Sequence, residues 1–208
     1  MFGFALAAVA TALAVIGRTR GPGWLHFAAK PLIVPGLLLP VLTLPSGLPA
    51  NALPWLVAAL SLAWVGDVAL MFKRGFIPGL VAFLLAHVAY LACFSVELSW
   101  RWQQLGYLLV VLPFAWVAMR GVLSHVGRLK PAVALYAVVL TGVAWRLLAR
   151  VDVLGLTAAC AVGILGGAVF MLADSLLVRR RFAGTKVPYW LELGTYAAAQ
   201  ACIVAATL

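Results

Sequence analysis

The chain has 208 residues, of which 66% are hydrophobic and 10% are charged, and its mean hydropathy is +1.13. This composition excludes a water-soluble globular domain of this length and indicates an integral membrane protein. A net charge of +10 would suit a nucleic-acid binder, but the basic residues lie between apolar segments and form no single patch or motif. We therefore do not expect nucleic acid as a partner.

Eight apolar segments follow one another along the chain, separated by short polar connections. In chain order they cover roughly residues 2–17, 31–45, 52–72, 76–96, 104–119, 131–148, 153–178 and 188–207. A helix satisfies its own backbone polar groups in hydrocarbon and needs about 20 residues to cross it, so each segment is predicted to be a membrane helix. The sequence therefore predicts an all-α transmembrane bundle of about eight helices, with seven as the alternative, in a single domain over residues 1–208.

The first two segments depart from a simple apolar run. The first has no Lys or Arg before Arg18, whereas a secretory signal peptide carries its positive charge first, so we expect it to remain as a membrane helix. The second holds Pro35, Pro40 and Pro45, and an interior proline removes a helix hydrogen bond. It is predicted to be kinked or to begin earlier, near Trp24.

The three cysteines lie inside apolar segments. Cys93, Cys160 and Cys202 lack the spacing of metal ligands, so we expect small packing residues and neither a disulfide framework nor a zinc site. No cofactor is expected.

The positions of Lys and Arg predict the orientation of the bundle. The loops after segments 1, 3, 5 and 7 hold most of these residues, namely Arg18, Arg20, Lys30, Lys73, Arg74, Arg120, Arg128, Lys130, Arg179, Arg180, Arg181 and Lys186. The opposite side holds Arg101, Arg146 and Arg150. By the positive-inside rule, the odd-numbered loops face the cytoplasm and both termini lie outside.

Two acidic residues interrupt apolar segments in similar surroundings. Asp67 lies in "WVGDVALMFKR" of the third segment, and Asp174 lies in "FMLADSLLVRRR" of the seventh. Asp67 precedes Lys73 by six residues and Asp174 precedes Arg179 by five, so a helical rise places both about 7 to 9 Å below the basic rim. A charged group in hydrocarbon is costly and generally faces the bundle interior, so these acids are candidate site residues.

Further polar groups lie on the helices that leave the same side of the membrane. His87 and Tyr90 are three residues apart and share one helix face, and Glu192, Tyr196 and Gln200 follow one another at steps of four. Lys30 stands at the entry of the second segment, where its long side chain reaches either the rim or the interior. Together these residues predict a polar cavity within the membrane, open toward the cytoplasmic side.

A purely structural interpretation stays open for each of these residues. Asp67 would then pair with Lys30 or Lys73, and Asp174 with an arginine, locking helices together. His87 would be a hydrogen-bonded packing residue, and the tyrosines would be interhelical hydrogen-bond donors. The small residues of "GILGG" at 163–167 predict a close helix contact.

Five stretches of the chain, taken in order, carry a resemblance to a known family. They are "KPLIVP" at 30–35, "VGDVALMF" at 65–72, "GLVAFLLAHVAYLACF" at 79–94, "FMLADSLL" at 170–177 and "TYAAAQACI" at 195–203. They resemble the YhhN-type lysoplasmalogenase family of membrane hydrolases. The resemblance implies an eight-helix membrane enzyme that cleaves the vinyl ether bond of lysoplasmalogens, giving a fatty aldehyde and a glycerophospho head group.

The resemblance also implies which residues act. The acids of the family's GD and SD motifs are regarded as essential, and here they are Asp67 and Asp174. Ala173 replaces the usual serine before the second acid, which weakens any role for a hydroxyl at that position. Two nearby carboxylates in a poorly solvated site tend to hold one proton between them, so one is expected to donate a proton while the other stabilises the cation and deprotonates water.

The expected partners are a lysophospholipid substrate and the surrounding membrane lipids. Candidates for the substrate phosphate are Lys30, Lys73, Arg74 and Arg179, and polar groups for the glycerol hydroxyl or for water are His87, Tyr90, Tyr196 and Gln200, with Glu192 beside them. The expected location is a bacterial inner membrane, with the site toward the cytoplasmic leaflet. The alternatives are a lipid-binding or proton-coupled transporter, marked by broken helices in inverted repeats, and a structural membrane protein.

Overall fold

A computed structural model describes residues 1–96 and 98–208, and these residues form helices, turns and loops without a β-strand. The α-helices are α1 (Phe2–Thr19), α2 (Gly23–Ala29), α3 (Ile33–Thr43), α4 (Leu53–Ala69), α5 (Phe76–Val96), α6 (Leu108–Met119), α7 (Lys130–Ala149), α8 (Val151–Leu154), α9 (Ala158–Phe182) and α10 (Tyr189–Ala205). Short 3-10 helices cover Lys30–Leu32, Trp102–Tyr107 and Gly127–Leu129. The predicted all-α class is confirmed.

Six helical stretches are long and apolar enough to cross a membrane. They are Phe2–Thr19, Gly23–Thr43, Phe76–Val96, Trp102–Met119, Gly127–Leu154 and Ala158–Phe182. Helices α4 and α10, with 17 residues each, complete the eight predicted segments. The chain is therefore a multi-pass membrane protein.

The chain divides into two compact units. The N-terminal unit comprises residues 1–93 together with 207–208, and the C-terminal unit comprises residues 94–206. A single domain over residues 1–208, as expected from the short linkers, stays a prediction.

In the N-terminal unit the second membrane segment is interrupted. It begins at Gly23, close to the predicted earlier start at Trp24, and a 3-10 helix at Lys30–Leu32 separates α2 from α3. Pro35 lacks the N–H that would bond to the carbonyl of Pro31 four residues earlier, so the prolines explain the irregularity. That carbonyl instead accepts a hydrogen bond at 2.8 Å from the indole Nε1 of Trp64 on α4.

Close helix packing in the same unit depends on small residues. α1 packs against α2 and α3, and the buried face of α1 consists of glycine and alanine, which are Gly3, Ala7, Ala10, Ala14 and Gly17. Where α1 and α3 cross, a Cβ on Gly36 would lie only 2.9 Å from the backbone nitrogen of Ala7. The contact therefore has no room for a larger residue at position 36.

In the C-terminal unit α9 lies between α7 and α10 and contacts both. The "GILGG" stretch makes these contacts, because a Cβ on Gly166 would lie 3.0 Å from Ile203 of α10 and one on Gly167 would lie 3.0 Å from Leu147 of α7. The predicted small-residue helix contact is confirmed. It brings the backbone of α9 close to both neighbours, and α9 carries Asp174.

Candidate functional site

Asp67 forms a buried ion pair in the N-terminal unit. It lies near the end of α4 and is 3% exposed. The Nζ atom of Lys30 lies 3.5 Å from Oδ1 of Asp67 and donates a hydrogen bond at 3.2 Å to the Asp67 backbone carbonyl. Lys30 thus reaches inward, and of the two predicted lysine partners for Asp67, the structure selects Lys30.

The interruption of the second membrane segment explains how Lys30 reaches Asp67. Lys30 starts the 3-10 helix, and the next carbonyl, that of Pro31, accepts the hydrogen bond from Trp64. Trp64 and Asp67 are three residues apart and lie on one side of α4. Two adjacent residues of the interrupted segment, Lys30 and Pro31, therefore contact Asp67 and Trp64 on α4. These two contacts fix the carboxylate of Asp67 relative to that segment.

A glycine beside Asp67 brings α4 close to α5. A Cβ on Gly66 would lie 2.7 Å from the ring of Phe83, which is too close for any side chain without a shift of the ring. The carbonyl of Phe83 contacts Nδ1 of His87 at 2.7 Å, one turn further along α5. His87 and Tyr90 are fully buried and form an edge-to-face ring contact at 6.2 Å, so their predicted common face is confirmed.

Asp174 is held by a phenol in the C-terminal unit. The hydroxyl of Tyr136 on α7 donates a hydrogen bond to Oδ2 of Asp174 on α9, with 2.6 Å between the two oxygen atoms. Both side chains are buried, at 6% and 7% exposure. The distance lies at the short end of the range for O–H···O hydrogen bonds.

The polar face of α10 packs against α9. Glu192 forms a two-pronged ion pair with Arg180, including a hydrogen bond of 2.9 Å from Nη2 to Oε1 and a second, shorter one from Nε to Oε2. Gln200 donates a hydrogen bond of 3.3 Å to the hydroxyl of Tyr196, whose ring lies edge-on against Phe170. These three predicted residues of α10 therefore lie on one face, and the charge of Glu192 is balanced by Arg180.

The basic residues predicted to bind phosphate differ in their surroundings. Lys73 and Arg74 are exposed in the turn between α4 and α5. The guanidinium of Arg179 donates hydrogen bonds to the carbonyls of Ala118 at 3.2 Å and Arg120 at 3.0 Å, at the end of α6. Arg179 therefore caps α6 in this structure, whereas Lys73 and Arg74 are open to a ligand.

The sequence interpretation missed two partners, Tyr136 and Arg180. Tyr136 follows Lys130 by six residues on α7, which places it at about the depth predicted for Asp174, five residues before Arg179. That shared depth was a usable signal for Tyr136. The sequence does not distinguish Arg180 from the arginines on either side of it. Which of the three faces α10 depends only on the rotation of α9 about its axis.

The predicted site residues fall into groups within each unit. Lys30 lies with Asp67, and His87 lies with Tyr90, in the N-terminal unit. The pairs in the C-terminal unit are Tyr136 with Asp174, Arg180 with Glu192, and Tyr196 with Gln200. A meeting of Asp67 with Asp174 stays a prediction. Among the residues that the structure describes, His, Cys, Asp and Glu form no group of three that would hold a metal ion.

A family match covers most of the chain. No curated protein and no solved structure matches the chain. The sequence matches the YhhN family over residues 25–207, nearly the whole chain, including the GD stretch on α4 and the second acid on α9. The chain belongs to the YhhN family.

Proposed function

We propose that this protein is a membrane hydrolase that cleaves the vinyl ether bond of lysoplasmalogens such as lysoplasmenylethanolamine or lysoplasmenylcholine. The products are a fatty aldehyde and glycerophosphoethanolamine or glycerophosphocholine. Asp67 and Asp174 are the proposed catalytic pair, in which one residue acts as the acid and the other as the carboxylate. The substrate is a lysophospholipid that enters from the surrounding bilayer.

The observation that carries the proposal is the burial of two carboxylates within membrane helices, one paired with an ammonium and the other with a phenol. An ionisable group at such a place is costly, and both acids lie in stretches that resemble the motifs of lysoplasmalogenases, which favours a chemical role. The resemblance to lysoplasmalogenases supplies the reaction, and the two carboxylates are the acid and base that this reaction needs.

The reaction begins with transfer of a proton to the outer alkene carbon of the vinyl ether. The O–H bond of the acid breaks, a C–H bond forms from the alkene electrons, and the ether oxygen stabilises the resulting cation. Water then adds to the cationic carbon and loses a proton to a carboxylate, giving a hemiacetal. In the collapse of the hemiacetal its hydroxyl loses a proton and forms the C=O bond of the aldehyde, while the bond to the glycerol oxygen breaks and that oxygen takes up a proton.

The partners of the two aspartates support a division of roles. The ammonium of Lys30 lies 3.5 Å from Asp67, so protonation of Asp67 would leave a buried cation without its counterion. Asp67 is therefore proposed as the carboxylate that stabilises the cationic intermediate. Asp174, with the neutral phenol of Tyr136 on one oxygen, is proposed as the proton donor.

The depth of the aspartates suits the position of the scissile bond in a lysolipid. That bond lies several ångströms below the phosphate. Asp174 lies about 7.5 Å before Arg179 along α9 by helical rise, and Asp67 lies two residues before the end of α4, beyond which Lys73 stands in the turn. Lys73 and Arg74 are the proposed phosphate ligands because they are exposed at the basic rim. We place the site in the cytoplasmic leaflet of a bacterial inner membrane, with both termini outside, in line with the distribution of Lys and Arg.

The test is the activity of Asp67→Asn and Asp174→Asn, each purified in detergent and given lysoplasmenylethanolamine, with released aldehyde as the readout. Asp152→Asn is the matched control, since Asp152 is an exposed aspartate that bonds to Tyr107. We expect both site variants to lose activity and the control to keep it. Full activity in a folded site variant would remove that residue from the mechanism.

A lipid-binding or proton-coupled transporter is the second candidate. The observation that favours it is the interrupted membrane segment at Lys30–Leu32, beside the ion pair with Asp67, because transporters build binding sites at such interruptions. Movement of lysolipid across proteoliposome membranes without any aldehyde release would support this candidate. Aldehyde release from the unmutated protein, abolished by both Asp→Asn changes, would exclude it as the sole function.

A further inference from the structure

The hydrogen bond between Tyr136 and Asp174 joins two membrane helices, α7 and α9. The phenol oxygen lies 2.6 Å from Oδ2 of Asp174, and neither side chain is more than 7% exposed. A buried tyrosine hydroxyl needs a partner, but many acceptors serve that purpose, including backbone carbonyls. Here the acceptor is the carboxyl group of a proposed catalytic residue, which places the phenol next to the proposed chemistry.

The packing around this bond restricts its geometry. Gly167 precedes Asp174 by seven residues on α9, and a Cβ there would lie 3.4 Å from Cα of Ala144, eight residues after Tyr136 on α7. Residues seven or eight apart lie on the same face of a helix, so both contacts belong to one seam between α7 and α9. The close approach at Gly167 therefore holds the two helices at the distance that the hydrogen bond at Asp174 requires.

We propose that Tyr136 is a positioning residue for proton transfer by Asp174, an inference that rests on the proposed vinyl ether hydrolysis. Its hydroxyl fixes the plane of the carboxyl group through Oδ2, and the carboxyl group so oriented donates its proton to the alkene carbon. As the proton leaves, negative charge develops on Asp174. The hydrogen bond from Tyr136 then becomes charge-assisted and stabilises the transition state more than the ground state.

The variant that tests this role is Tyr136→Phe, which removes one oxygen atom and keeps the ring. Because the lost bond strengthens only as charge develops, kcat for lysoplasmenylethanolamine should fall about tenfold, or about 1.4 kcal/mol of barrier, with KM unchanged. The solvent deuterium isotope effect on kcat should be at least as large as in the unmutated protein, because proton transfer is the step that slows.

Tyr107→Phe is the matched control. Tyr107 donates a hydrogen bond of the same length, 2.6 Å, to an aspartate, Asp152, but at an exposed position of the same unit. This variant should keep both kcat and KM. Size-exclusion profiles and thermal unfolding midpoints of both variants establish the folded fraction, to which kcat is normalised.

The outcomes separate the inference from the function on which it rests. A normalised kcat of Tyr136→Phe within about twofold of the unmutated protein would overturn the positioning role alone. So would a raised KM at unchanged kcat, which would mark substrate binding, or a loss of rate that only follows the folded fraction. Absence of aldehyde release from the unmutated protein would overturn the proposed hydrolysis and this inference with it.

Discussion

Replacement of Lys30 by methionine tests whether Asp67 depends on its buried partner. Methionine keeps an unbranched chain of similar length and removes the ammonium, which lies 3.5 Å from Oδ1 of Asp67 and 3.2 Å from the Asp67 carbonyl oxygen. The carboxylate of Asp67, itself 3% exposed, then loses the counterion that balances its charge. The folded protein should therefore be destabilised.

The size of this effect follows from the geometry of the pair. At a separation of 3.5 Å and an effective dielectric constant of about 20, the two charges attract by about 5 kcal/mol. Breaking a buried pair by removing one partner generally costs 3–5 kcal/mol, and the distance exceeds that of an ideal contact, so we expect about 3 kcal/mol. For a chain of this length that corresponds to a fall in unfolding temperature of about 6 to 12 °C.

The assay is thermal unfolding in detergent, followed by the fluorescence of the tryptophans. The variants form a double-mutant cycle of Lys30→Met, Asp67→Asn and the combination, with Lys186→Met as the control at an exposed lysine. Since the combined variant buries neither charge, it should be destabilised by about 2 kcal/mol less than the sum of the single variants. Additive single effects, or a control as destabilised as Lys30→Met, would refute the pairing of Lys30 with Asp67.

Three further predictions concern packing, the α9–α10 ion pair and orientation. Gly66→Ala should lower thermal stability by about 1 to 3 kcal/mol and reduce aldehyde release, because its methyl group would meet the ring of Phe83 at 2.7 Å. Gly194→Ala, with no atom within 4 Å of the added group, should be neutral or slightly stabilising in the same unfolding assay. Glu192→Gln should lower stability by only about 1 kcal/mol by thermal unfolding, since the side chain of Arg180 is 39% exposed and solvent screens the pair. A reporter fused to the C-terminus should be active only on the outer side of the membrane, and a cytoplasmic signal would reverse the proposed orientation.

Hydropathy and proline positions were sufficient to predict most of the helical architecture. The apolar segments locate the membrane helices to within a few residues because hydrocarbon demands long, internally bonded stretches. Pro35 predicted the irregularity of the second segment, which is realised as the 3-10 helix at Lys30–Leu32. The earlier start of that segment at Gly23 was less evident, because His26 and Lys30 interrupt the apolar pattern although both are buried.

The partners of the acids were harder to predict than the acids themselves. A charge within an apolar run is conspicuous, whereas Tyr136 resembles any aromatic residue of a membrane helix until its hydroxyl is placed next to Asp174. Lys30 and Lys73 were equal candidates for Asp67 in sequence. α4 ends at Ala69, so Lys73 lies in the exposed turn beyond the helix, and the interrupted segment brings Lys30 to the carboxylate instead.

The different partners of the two aspartates bear on how these residues would divide the proposed chemistry. The stretches "GDVALMFKR" and "ADSLLVRRR" are alike enough to suggest equivalent acids. Asp67, however, forms an ion pair with the ammonium of Lys30, whereas Asp174 accepts a hydrogen bond from the phenol of Tyr136. An ammonium neighbour stabilises a carboxylate throughout the reaction, which suits a residue that must remain negative beside a developing cation. A phenol can hold both a carboxylic acid and a carboxylate, and it binds the carboxylate more strongly, which suits a residue that gives a proton to the alkene and is reprotonated later in the cycle. Exchange of the two roles would therefore require exchange of their neighbours, and Tyr136→Phe should slow proton transfer while Lys30→Met should chiefly disturb the charge at Asp67.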